Sequence, residues 1–154
     1  MDVSSAKHRT VNFVLVEDQG MFRSLVRKLL MEECQGKILL ETSTLAELRA
    51  NLDKVRAADL LLLDIGLPDG DGLDIFPHLT EAGIATPVLL FSSSCEDYFV
   101  ERVKHTCAQG FVHKDEEPKV LLTAIQVVAN GGAFYSPRFV DRRRQVESNP
   151  VSFD

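Results

Sequence analysis

The stretch Asp59-Leu60-Leu61-Leu62-Leu63-Asp64-Ile65-Gly66-Leu67-Pro68-Asp69-Gly70-Asp71-Gly72 decides the fold. Four consecutive leucines have neither the 3.6-residue period of an amphipathic helix nor the alternation of a half-buried strand. A short apolar run bounded by Asp59 and by a Pro/Gly-rich turn cluster reads as a strand buried on both faces, the kind found in parallel sheets. Asp64 stands at its carboxyl end. Ligands of open α/β sheets bind at that edge, so the acid is a candidate for chemistry. A local role is the equal alternative here, because aspartate is common in turns for its own hydrogen bonds to nearby backbone.

Upstream of this run, Val11–Val16 (VNFVLV) is a second short apolar segment, and it too ends in acids, Glu17 and Asp18. Met21, Phe22, Leu25, Val26, Leu29 and Leu30 then recur with Arg23, Arg27 and Lys28 between them, which predicts an amphipathic helix ending near Gly36. Residues 38–40 predict a short strand. Thr44 predicts the cap of a helix carrying Leu45, Leu48, Leu52 and Val55, with Glu47 completing a capping-box pattern.

Downstream, residues 73–80 predict a brief helix closed by Gly83, with Pro77 in its middle. Residues 87–91 (PVLLF) predict a fourth strand, followed by Ser92-Ser93-Ser94, so hydroxyls stand where the other strands place acids. Residues 96–106 read as a helix with Phe99, Val100 and Val103 on one face. Gly110-Phe111-Val112 is a very short fifth strand ending in His113-Lys114. Glu116-Glu117-Pro118 opens a last helix with Val120, Leu121, Ala124, Ile125 and Val128 inward, and Gly131-Gly132 stops it. Five strands alternating with five helices predict one α/β domain with a mainly parallel sheet and helices on both faces. Its expected limits are residues 10–132. Residues 1–9 form a tail, and residues 133–154 a C-terminal extension in which Phe134, Tyr135, Phe139 and Val140 can pack back while the polar tract from Arg142 cannot.

A chain of 154 residues with 45% hydrophobic content has room for one proper core, which excludes a disordered protein. The N-terminus has no apolar signal region and no stretch is long enough for a membrane span, so a cytoplasmic location is expected. Cys34, Cys95 and Cys107 show no C-x-x-C spacing and suit reduced packing thiols. A net charge of -6 with a pI near 5.2 argues against a nucleic-acid footprint over the whole surface. The one basic cluster is Arg138 with Arg142-Arg143-Arg144, and a solvated linker is the expected reading of that run.

Collected at one edge of one sheet, the strand ends present Glu17, Asp18, Asp64, Ser92 and Lys114. Three crowded carboxylates repel unless positive charge sits among them. A lysine and a divalent cation supply it, and oxygen ligands without a nearby histidine suit Mg²⁺, which usually takes one or two carboxylates plus phosphate oxygens. Such a site is built for a phosphoryl group.

At this point the sequence resembles the response-regulator receiver family, over roughly residues 10 to 132. The acidic pair lies 46 residues before Asp64, Ser92 follows it by 28, and Lys114 follows Ser92 by 22. Val16-Glu17-Asp18-Gln19-Gly20-Met21-Phe22-Arg23, Gly110-Phe111-Val112-His113-Lys114-Asp115 and Ala129-Asn130-Gly131-Gly132 look most like the NarL/LuxR-type subfamily, whose members usually append a helix-turn-helix. The resemblance implies a CheY-like, flavodoxin-like doubly wound five-stranded parallel sheet with strand order 2-1-3-4-5. It implies that Asp64 accepts a phosphoryl group from a sensor histidine kinase, a phosphotransfer protein or a small phosphodonor. Mg²⁺ is then held by Asp18, Asp64 and the backbone carbonyl of Gly66, and through water by Glu17. Lys114 neutralises charge on the transferring oxygens, Ser92 hydrogen-bonds the new phosphoryl oxygen, and Phe111 is the aromatic whose inward rotation follows.

The sequence departs from the family pattern in three places. Glu17 stands where aspartate is commoner and lengthens the reach to the metal. Gly66 offers no side chain to shield a phosphoryl group. Phe111 replaces the frequent tyrosine and leaves the switch to packing alone.

The same resemblance implies a protein that is no enzyme on free substrates, that can pair as a homodimer, and that reaches DNA only through a C-terminal domain absent from this chain. The expectation is the receiver part of a transcriptional regulator; a stand-alone receiver acting by protein contacts is the alternative. A phosphatase of the haloacid-dehalogenase type also uses a strand-end aspartate but wants a second aspartate two residues on, where this chain has Gly66. A pseudo-receiver typically lacks an acid or the lysine, and here none is missing. Asp69-Gly70-Asp71-Gly72-Leu73-Asp74 faintly suggests a calcium loop, yet its order fails and a tight turn is expected. His8, His78, His105 and His113 show no metal spacing, and surface positions are expected for them.

Overall fold

The computed structural model describes residues 10–93, 97–137, 139, 140 and 144, with the side chains of residues 97–99 left aside. The expected tail at residues 1–9, Ser94, Cys95, Arg138, Arg142 and Arg143 lie outside the described residues, as does the face assigned to Phe99. In chain order, β1 (Val11–Val16) is followed by α1 (Gly20–Lys28), which runs into a π-helical turn at Leu29–Glu33, and by β2 (Gly36–Thr42). Next come α2 (Leu45–Ala50), α3 (Leu52–Ala57) and β3 (Leu60–Asp64). A two-stranded ribbon, β4 (Gly66–Leu67) with β5 (Gly70–Asp71), leads through a 3₁₀ turn into α4 (Ile75–Glu81). The chain then forms β6 (Val88–Ser92), α5 (Asp97–Lys104), β7 (Gly110–His113), α6 (Pro118–Ala129) and β8 (Phe134–Tyr135).

The main sheet has the order β2-β1-β3-β6-β7-β8 and is parallel throughout. Its first five members reproduce the doubly wound order expected from the sequence. Leu60, Leu61, Leu62 and Leu63 are all fully buried, because β3 lies at the centre with helices on both faces. Leu61 and Leu63 face a core shared with α2, α3, α4 and α5, and Leu60 and Leu62 face one shared with α1 and α6.

The structure differs from the sequence reading in several places. The helix expected to run from Thr44 through Val55 is two helices, broken at Asn51, whose φ of -129° and ψ of 37° are not helical. Thr44 does cap α2, its hydroxyl accepting the Glu47 N–H at 3.2 Å, but the Glu47 carboxylate turns to the Thr42 hydroxyl rather than closing the box. The second cap comes from outside the helix. Asp69 accepts the N–H groups of Leu45 and Ala46 at 2.8 and 3.0 Å, so the expected tight turn, here of two residues, also ties down α2. Pro77 is tolerated in α4 because it falls in the first turn, where its missing N–H has no intrahelical partner to lose.

The sheet also carries a sixth strand beyond the five expected. Gly132 ends the turn after α6, and β8 then pairs with β7 through Gly110↔Phe134 and Phe111↔Tyr135. Phe139 follows into the core at 1% exposure, so packing continues past residue 132.

Candidate functional site

Each strand-end residue is placed by the strand before it. Glu17 prolongs β1, its N–H bonded to the Thr42 carbonyl at 2.9 Å, and its side chain is fully buried. Asp64 is the last residue of β3, paired with Phe91 of β6, and is 3% exposed. Ser92 closes β6 and is buried, and its carbonyl accepts the Lys114 N–H at 2.8 Å. Lys114 follows β7 directly, with its side chain 7% exposed. Asp18, next to Glu17, is exposed.

The side chains converge. Lys114 Nζ stands 2.6 Å from Glu17 Oε1 and 3.0 Å from Asp64 Oδ2. Asp64 Oδ1 accepts the Gly66 N–H at 3.0 Å. Beneath the ammonium lie the rings of Phe22 and Phe91, with centroids at 5.0 and 5.9 Å, a cation–π floor that narrows where the lysine can go. Gly72 supports the acceptor strand from behind: a Cβ there would sit 2.4 Å from the Asp64 carbonyl oxygen.

Charge in this cluster is unbalanced. Burial, and then the Glu17 carboxylate, push the Asp64 carboxyl up to about 7, against the contrary pull of the Lys114 charge and hydrogen bond and of the Gly66 N–H. Glu17, Asp18 and Asp64 offer carboxylate oxygens that all lie within 4.8 Å of one another. One cation can reach all three from the solvent side, where Asp18 is exposed. The donor set is oxygen only and fits a hard divalent ion, which supplies the positive charge that the single lysine leaves wanting.

Against this geometry the comparisons with known proteins decide the family. The sequence pattern of the response regulator receiver domain matches residues 13–126. The chain belongs to the response regulator receiver domain family. Among its relatives, UhpA of Salmonella typhimurium, a transcriptional regulatory protein, is 31% identical over 92% of this chain and 70% of its own length. DegU of Brevibacillus brevis, also a transcriptional regulatory protein, is 27% identical over 83% of this chain. The receiver spans 54% of DegU. A crystal structure of a LuxR-family two-component response regulator from an Aurantimonas species superposes with a TM-score of 0.81 at 21% identity, covering 91% of this chain and 99% of that one, and shows the shared fold. The chain is also similar to the signal receiver domain of a NarL response regulator from Mycobacterium tuberculosis, 27% identical with a TM-score of 0.69 over 80% of this chain and 98% of that one.

The remaining residues singled out from sequence fall elsewhere. Phe111 is fully buried on β7, in the core on the α2–α5 side of the sheet. Gly66 is exposed at the mouth of the site. His113, expected at the surface, is 6% exposed: the last residue of β7 packs inward, and its Nδ1 accepts the Asp115 N–H at 3.0 Å. His105 is exposed and His78 half-buried, while His8 lies outside the described residues. Among the described residues no helix is long and apolar enough to cross a membrane. Cys34 is half-buried and Cys107 exposed.

Sequence reading passed over Gln19, whose side-chain carbonyl accepts from Lys114 Nζ at 2.7 Å. The signal was its position: a residue directly after the acid pair, at the first cap of a helix, whose long side chain is a poor cap. It also passed over Arg102 of α5, which pairs with Asp71 and, at 3.4 Å, with Asp74, and so ties α5 to the turn that leaves Asp64.

Proposed function

We propose that this receiver takes a phosphoryl group onto Asp64 and uses the resulting change of charge to control an output. The observation that carries the reading is the Asp64 carboxylate at the end of the central strand, 3.0 Å from Lys114 and inside an acid cluster suited to a cation. An oxygen of Asp64 attacks phosphorus in a phosphohistidine or small phosphodonor, the new P–O bond forms as the P–N or donor P–O bond breaks, and the leaving group takes the electron pair. Lys114 sits beside the attacking oxygen and meets the charge that the phosphoryl oxygens carry. Asp18, Asp64 and the Gly66 carbonyl would hold Mg²⁺, with Glu17 through water. Bound there, the ion supplies charge neutralisation on the transferring oxygens.

Ser92, buried at the end of the neighbouring strand, is assigned the hydrogen bond to a phosphoryl oxygen, and Phe111 the packing change that follows. The donor is a sensor histidine kinase or a phosphotransfer protein. Catalysis is confined to the receiver's own modification, because Gly66 leaves no acid two residues on for turnover of free substrates. UhpA and DegU are named transcriptional regulators, which supports transcription as the output, reached through a part of the protein beyond these residues. Incubation with a small phosphodonor and Mg²⁺, followed by intact mass, tests the assignment. One phosphate on the wild type and none on Asp64→Ala is expected; labelling of Asp64→Ala at the wild-type rate would refute it.

A further inference from the structure

The Lys114 ammonium donates hydrogen bonds to Gln19 Oε1 at 2.7 Å and to Asp64 Oδ2 at 3.0 Å, and stands 2.6 Å from Glu17 Oε1 as an ion pair without hydrogen-bond geometry. Two directed hydrogen bonds and one close opposite charge set the position of the ammonium. They are not equivalent. Glu17 and Asp64 belong to the acid cluster whose oxygens lie within 4.8 Å of one another, so a cation bound there draws on the same lone pairs that hold the lysine. Gln19 is outside that cluster, and its neutral amide oxygen remains available when the carboxylates are otherwise engaged.

The backbone of Gln19 is itself pinned. Its N–H donates to Glu17 Oε2 at 2.8 Å and its carbonyl accepts the Arg23 N–H at 2.8 Å, opening α1. At this N-cap position the side chain makes no capping hydrogen bond. It reaches across to a residue 95 positions away instead. The Phe22 and Phe91 ring centroids stand 5.0 and 5.9 Å from the same ammonium.

We propose that Gln19 is a positioning residue, which holds Lys114 Nζ against the acceptor oxygen of Asp64 while the neighbouring carboxylates are occupied by the cation. The inference rests on the reading of Asp64 as phosphoryl acceptor. Without Gln19 the ammonium keeps only anchors that the cation competes for, and it drifts from the oxygen where phosphorus arrives. Misplacement of a reacting group on the ångström scale costs up to about a hundredfold in rate.

Two measurements on the full chain test this. In Mg²⁺-saturated protein with ¹⁵N-labelled lysines, the Lys114 ammonium should give a sharp, slowly exchanging ¹H–¹⁵N signal, assigned by its loss in Lys114→Arg, and Gln19→Ala should broaden it away. With a small phosphodonor at saturating Mg²⁺, Gln19→Ala should take up phosphate roughly tenfold to a hundredfold more slowly, at an unchanged Mg²⁺ half-saturation. Gln19→Glu, which restores an acceptor oxygen at the same reach, should recover the ammonium signal; Gln19→Met, of similar length without an acceptor, should not. A wild-type signal and rate in Gln19→Ala, or recovery by Gln19→Met, would overturn the proposal. If the wild type takes up no phosphate at Asp64, the acceptor assignment falls, and the ammonium signal still decides whether Gln19 holds Lys114.

Discussion

The rings of Phe111 and Phe139 lie 4.8 Å apart at an interplanar angle of 33°, and Tyr135, the register partner of Phe111, stacks on Phe139 at 5.2 Å. Phe111 stands three residues before Lys114 on β7, whereas Phe139 belongs to the segment after α6. Backbone bonds reinforce the contact: the Ser136 N–H reaches the Phe111 carbonyl at 2.8 Å. Any movement of the Phe111 ring must displace or drag the C-terminal segment, because close-packed interiors do not absorb a shifted ring locally.

Phe139→Ala therefore removes a ring that is 1% exposed and opens a cavity against Phe111. The expected loss is about 3–5 kcal/mol of stability, read from urea unfolding. Phosphate uptake at Asp64 should persist in conditions where the variant is folded, since no atom of Phe139 belongs to the acid cluster. A variant as stable as the wild type would show that the segment merely rests on the domain.

Asp64 makes stability depend on pH in an unusual direction. Its carboxyl is pushed from the ordinary 3.8 up to about 7, so between those values the folded, metal-free protein holds a proton that the unfolded chain has released. The folded state binds more protons, and this contribution is lost as pH rises through about 7. Metal-free wild type should melt lower at pH 8 than at pH 5, compared with Asp64→Asn as the reference that removes the group. Mg²⁺ added at pH 8 should raise the wild-type melting temperature, because a ligand that binds only the folded form stabilises it. A difference between wild type and Asp64→Asn that does not change with pH would contradict the charge imbalance.

The parts of this receiver that the sequence made legible are those with a local signature. Asp64 and Lys114 could be placed at one sheet edge because Asp64 directly ends a short apolar run and Lys114 follows another after only His113, and strand ends are marked by the change from apolar to polar residues. The order of strands followed from the family resemblance, and the preference for right-handed crossovers gave helices on both faces. What stayed hidden is side-chain contact over long sequence separation. The position of Gln19 after the acid pair marks it as near the site but does not name Lys114 as its partner, and nothing in Asp69 announces that it caps a helix 24 residues earlier. β8 was missed for a different reason, since two residues are too few to show any period, and the break at Asn51 because the apolar spacing continues across it.

Asp69 offers a clean test of one such long contact. It satisfies two backbone N–H groups at the start of α2, a helix of six residues that has few other bonds to hold its first turn. Asp69→Ala should loosen the start of α2, with amide exchange quickened at Leu45 and Ala46 and unchanged in α6. Equal exchange in both proteins would mean that water replaces the carboxylate without penalty.

Gly72 links packing to the site itself. A methyl group at this position would meet the Asp64 carbonyl oxygen at 2.4 Å and the Ile65 Cα at 3.0 Å. Both are backbone atoms of the segment that carries Asp64, so neither can swing aside as a side-chain tip would. Relief requires β3 to shift where its last carboxylate faces Lys114. Gly72→Ala should therefore lose roughly 1–3 kcal/mol of stability and, in the folded fraction, lose phosphate uptake as well. Gly20→Ala is the control, because a Cβ at Gly20 meets nothing within 4 Å although it too borders the site. Normal uptake in folded Gly72→Ala would show that the acceptor tolerates movement of its own backbone, contrary to a site fixed by contacts of about 3 Å on both Asp64 oxygens.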